Sequence, residues 1–188
     1  MNLRPLVYSV VLFTVGSLAY GEEGSTFVLP EPEQINKAGE FMRTPLMQAV
    51  CRGNADEVRA LLAAGADPNI PEWHNNTPLM HACQHGYTDI VRMLLAAGAD
   101  VNARDCENNT ALMFASIDGN PEIVQMLLEA GAHVNVHGDD SNETPYDLAR
   151  FEANNMDNEG AAECLPLLLK AGALEHVLLD IEDDEKLL

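Results

Sequence analysis

The stretch His81-Ala82-Cys83-Gln84-His85 sets two imidazoles four residues apart around a thiol. All three side chains are ligand types for zinc or copper, and histidines at i and i+4 share one face of a helix. A second pair, His133 and His137, flanks Asn135, and the four cysteines stand at 51, 83, 106 and 164. Four cysteines in an exported chain invite disulfides. Whether these groups bind metal, form bridges or simply pack depends on which elements carry them.

Those elements follow from internal repetition. TPLMQAVCRGNADEVRALLAAGADPN begins at Thr44, TPLMHACQHGYTDIVRMLLAAGADVN at Thr77 and TALMFASIDGNPEIVQMLLEAGAHVN at Thr110, a spacing of 33 residues each time. A fourth copy opens as TPYDLA at Thr144, one residue late, and closes as LPLLLKAGA at Ala173. Each opening threonine can cap a helix through its hydroxyl, and Pro45, Pro78 and Pro145 sit at the first helical position, where a missing N–H costs nothing. Gly53, Gly86 and Gly119 stop that helix; a second runs through a Leu-Leu pair to Gly65, Gly98, Gly131 and Gly172, placed for a left-handed cap. Neither helix buries its apolar face alone, so neighbouring units must stack to make the core.

The run Thr-Pro-Leu, Ala, Gly, Leu-Leu and Gly-Ala at this period resembles the ankyrin repeat over residues 44–173. The resemblance implies an all-α solenoid of about four helix-turn-helix repeats joined by β-turn fingers, with units at about 44–76, 77–109, 110–143 and 144–173. Where the family usually has Gly, two residues before the capping threonine, this chain has Asn75, Asn108 and Asn142, the non-glycine type that best tolerates a left-handed turn. Met42 takes the corresponding place before Thr44, and Glu57 stands where Ile90 and Ile123 pack, as suits an N-terminal capping repeat. The fourth repeat is longer by the insertion in FEANNMDNEGAAE.

In this register His81 shares a row with Gln48, Phe114 and Leu148, and His85 with Arg52, Asp118 and Glu152; neither row is built from metal ligands. Cys83 aligns with Val50, Ser116 and Arg150, where a free cysteine behaves as a small hydrophobe. The opening pentapeptide therefore reads as scaffold, and His133 and His137 as surface variation: no metal site and no cofactor are expected. The cysteines fall in different repeats or fingers, too far apart for more than one bridge. The sequence contains no glycine-rich phosphate loop, nucleophile elbow or H-E-x-x-H motif, so no enzyme is expected.

Residues 1–21 differ from the rest. Arg4 precedes an apolar run, and Ala19 and Gly21 supply the small residues of a signal-peptidase site, so a cleaved leader is expected. Residues 22–43 then read as linker and N-terminal cap, and 174–188 as an acidic tail. Thirty Asp and Glu against ten Lys and Arg give a formal charge of -20, or -21 once Arg4 leaves with the leader. Such a surface repels phosphate backbones and anionic lipids, so the expected partner is another protein with a basic face, bound by a monomer, with no nucleic acid and no membrane after cleavage. Asn75-Asn76-Thr77, Asn108-Asn109-Thr110 and Asn142-Glu143-Thr144 are formal glycosylation sequons. Glycans there would crowd the fingers, which favours bacterial export, to the periplasm first and secretion second.

The resemblance implies binding through finger tips and the exposed side of the first helices. The matching positions are Phe41, Arg43, Arg52, Trp73, His74, Asn76, Gln84, His85, Glu107, Asn109, Ile117, Asp118, Glu143, Phe151 and Glu152. Trp73 and Ile117 are the expected apolar anchors, with packing beside Pro71 as the alternative for Trp73. The expected function is an exported protein-protein interaction module, periplasmic and protective, neutralising a toxin or supporting a stress enzyme. The alternatives are a secreted effector acting on a host protein and a metal-binding protein.

Overall fold

The computed structural model describes residues 27–138, 143–155 and 158–173. The leader, Asn142 and the acidic tail lie outside them. Among the described residues a short 3-10 turn, Glu40–Met42, precedes eight α-helices and there is no strand. The helices come in pairs: α1 (Pro45–Cys51) with α2 (Ala55–Ala63), α3 (Pro78–Gln84) with α4 (Thr88–Ala96), α5 (Ala111–Asp118) with α6 (Pro121–Glu129), and α7 (Pro145–Asn155) with α8 (Glu159–Lys170). None of them is long and apolar enough to cross a membrane.

The opening threonines explain where the first helices start. Thr44, Thr77 and Thr144 each accept a hydrogen bond from the backbone N–H three residues on, at 3.2, 3.4 and 3.2 Å. Thr110 departs from the expected pattern: its hydroxyl is buried without a hydrogen-bond partner among the described residues. This is the repeat with Ala111 in place of proline, and there the Thr110 carbonyl takes the Met113 N–H itself, at 3.1 Å. The second helices begin on Asn54, Asn120 and Asn158, whose side chains accept from the third helical N–H; Tyr87 at the equivalent place makes no such bond. Asparagine there satisfies a helical donor that has no carbonyl partner.

First helices stack on first helices, α1 to α3 to α5 to α7, and second on second, α2 to α4 to α6 to α8. The core between the rows is aliphatic: Leu46, Leu61, Leu79, Leu94, Leu112, Leu127 and Leu168 are wholly buried, each stabilising the stack by about 1.5–3 kcal/mol relative to exposure. A polar ladder runs beside this core. Asn69 donates to the Gly98 carbonyl (3.1 Å) and accepts from Asp100 N–H (2.7 Å); Asn102 does the same to Gly131 and His133, at 3.1 and 2.8 Å. Asn135 donates to Gly172 at 3.0 Å. One side chain thus ties each finger to the next repeat.

The ladder also shows that stacking starts upstream of Thr44. Asn36 accepts from Asp67 N–H at 2.8 Å, Ile35 is buried, and Phe27 and Leu29 pack against the core. Ile35-Asn36 occupies the place that Pro68-Asn69 and Val101-Asn102 take later, so residues 27–43 supply the first finger.

Candidate partner-binding surface

Finger one is fastened to repeat two by a buried carboxylate. Glu72, only 8% exposed, accepts hydrogen bonds from Arg43 Nε and from His81 Nε2 at 2.8 Å. Burial alone would raise the Glu72 pKa, but the bonds from Arg43 and His81, with their charges, hold it below the ordinary carboxylate value. His81 is thereby committed to a structural bond. His85 donates Nδ1–H to the His81 carbonyl at 3.0 Å, and its ring lies 5.6 Å from that of Tyr87. Among the described residues no group of three or more His, Cys, Asp or Glu is placed to hold a metal ion. His133 lends its backbone N–H to the asparagine ladder.

The finger tips are linked edge to edge. Trp73 N–H reaches the Phe41 carbonyl at 3.4 Å, and Cys106 N–H the His74 carbonyl at 2.9 Å. Asn75 and Asn108 take left-handed φ of 60° and 59°, as their position before the capping threonine requires. Asp105 rigidifies finger three by accepting from Glu107 N–H (2.9 Å), Asn109 N–H (2.8 Å) and the Asn109 amide (3.2 Å). Asn109 and the half-buried Asn76 are therefore held inside their own fingers, Asn76 through its carbonyl to Glu72 N–H at 2.9 Å.

On these tips stand three large apolar side chains: Trp73 is 64%, Phe41 62% and Met42 58% exposed. The packing alternative for Trp73 beside Pro71 is overturned, because its ring stands out from the finger and lies near His74, centroids 6.3 Å apart. Phe41 and Met42 are both left-handed, φ 57° and 58°, a conformation costly for non-glycine residues. Met42 is an exposed tip residue outside the positions expected from sequence. Its signal was present, an apolar residue at the turn position that Asn75 and Asn108 fill later.

The first-helix residues form a second group. Gln84, His85, Ile117, Asp118 and Phe151 are exposed, Ile117 by 39% and Phe151 by 54%, while Glu143 and Glu152 are half-buried. Burial raises the Asp118 pKa against the opposing pull of His85. Arg52 is also exposed and is ion-paired with Glu57 of α2.

All four cysteines are free thiols, Cys83 and Cys164 buried, Cys51 partly so, Cys106 exposed. Desolvation pushes the Cys83 thiol far up and the Cys164 thiol up to about 11, which keeps both protonated and inert.

The chain matches family models for ankyrin repeats at residues 19–105, in a model of three copies, and at residues 105–149, in a model of many copies. No curated protein matches it. Two adjoining ankyrin matches, on a stack of paired helices with left-handed finger turns, make this chain an ankyrin-repeat protein, a helical solenoid built as a protein-protein interaction module.

Proposed function

We propose that this protein is an exported binding module that holds a basic-faced partner protein across its finger tips and first-helix ends, with a protective role in the bacterial periplasm. The observation that carries the reading is the set of large apolar side chains, Phe41, Trp73, Ile117 and Phe151, held exposed on a chain of charge -20. Exposed apolar anchors within a polar rim are the usual anatomy of an interface centre, and charge of one sign steers an oppositely charged partner to it. The ordered basic, apolar and small-residue regions of positions 1–21 support export.

A photo-crosslinking residue placed at 73 or 117, against 59 or 125 on the second helices, tests the binding face in living cells. One discrete protein adduct from 73 and 117 only is expected; adducts from 59 and 125 alone would place the interface on the opposite side. Sequencing the N-terminus of the soluble protein should give Glu22 first, and an intact Met1 on the bulk of it would remove the exported part of the proposal.

A further inference from the structure

Resting on that reading, we infer that the linked tips of fingers one and two form a guanidinium-selective platform: Trp73, with the exposed Phe41 and Met42 on the tip linked to it, receives an arginine side chain of the partner. Two observations support arginine. The protein already seats one of its own there, since the Arg43 guanidinium lies 5.9 Å from the Phe41 ring centroid and bonds to Glu72.

Charge selects a cation. Arg43, Arg52, Arg59, Arg92 and Arg150, half of the ten Lys and Arg, are already paired with the chain's own carboxylates, against a total of thirty Asp and Glu. Shape then selects among cations, because a planar, weakly hydrated guanidinium stacks on an indole where a compact ammonium stays solvated. Met42 offers an apolar surface to the methylene stem.

Trp73 is the only tryptophan, so its emission reports on this site alone. The test titrates full-length protein, at fixed ionic strength, with capped pentapeptides Gly-X-Gly-X-Gly in which X is arginine, lysine or citrulline, following emission and heat. The arginine peptide should shift the emission and bind about fivefold tighter than the lysine peptide, while neutral citrulline should do neither. Trp73→Ala should abolish the arginine preference and Trp73→Phe should retain most of it, with both variants melting like the parent.

Equal response to arginine and lysine, or an arginine preference that survives Trp73→Ala, would overturn the platform and leave only diffuse charge. A concentration-dependent emission shift without peptide would put a second copy on the tips and likewise overturn it. A partner crosslinked from position 73 that competes with none of the peptides would refute the platform but leave the binding function standing. An arginine preference with no partner crosslinked at all would support the platform while sinking that function.

Discussion

Glu72 shows how much one side chain can decide. Its carboxylate stands among buried groups yet is held ionised by Arg43 and His81, and its folded pKa lies below that of an ordinary glutamate. A depressed pKa contributes stability above the unfolded value of about 4.3, and that contribution is lost as pH falls through the folded value. Glu72→Gln should therefore cost about 1–3 kcal/mol at neutral pH, since the two donors lose a charged acceptor. The gap between parent and variant melting temperatures should stay open from about pH 6 to 5 and close below about pH 4. A gap independent of pH would mean that shape, not charge, makes the contribution. The row of His81, Gln48, Phe114 and Leu148 marks His81 as scaffold, but Glu72 as its acceptor is invisible in the sequence. The two residues lie on different elements, and the finger turn that joins them is set by Asn75 rather than by sequence spacing.

At the scale of elements, turns and ladders carry what periodicity could not express. The helices, their threonine starts and the asparagine turns at 75 and 108 were legible, because each residue type has one local reason to be there. The silent hydroxyl of Thr110 was not, since it depends on which oxygen of the same residue meets the Met113 N–H. Nor was the ladder of Asn36, Asn69, Asn102 and Asn135, which bonds across repeats. Asn102→Ala removes both bonds of one rung and should cost about 1–3 kcal/mol in urea unfolding; an unchanged midpoint would show that water replaces them without loss. Two glycines separate turn geometry from packing. At Gly98, φ 84°, an added Cβ meets nothing within 4 Å, whereas at Gly119, φ 74°, it would lie 2.6 Å from the Ala161 nitrogen. Gly98→Ala should cost about 1 kcal/mol for the left-handed backbone alone. Gly119→Ala should cost that plus about 1–3 kcal/mol of overpacking against α8. Equal losses in thermal melts would mean that α8 yields freely.

For the whole molecule, the question is how a chain so acidic holds a partner as well as attracts it. Its formal charge is -20, while Phe41, Met42, Trp73, Ile117 and Phe151 put exposed apolar groups on finger tips and first helices, with Val28 and Leu169 exposed elsewhere. These two features act on different rates. Exposed charge is screened within about 10 Å at 0.1 M salt and mainly accelerates encounter, so raising salt should slow association more than it speeds dissociation. Apolar anchors act once contact is made: Trp73→Ala and Ile117→Asp should each weaken the complex by about 1–3 kcal/mol, chiefly through faster dissociation, with the melting temperature unchanged. Arg59→Ala and Gln125→Ala serve as controls on the second helices. Arg59 is engaged in an exposed pair with Asp56 and Gln125 in one with Glu129, so each change should alter binding by less than about 0.5 kcal/mol. Surface-plasmon measurement of the crosslinked partner across a salt series, with melts of every variant, separates the two contributions. Salt acting mainly on dissociation would assign the holding energy to charge, and the apolar tips would then have another occupant.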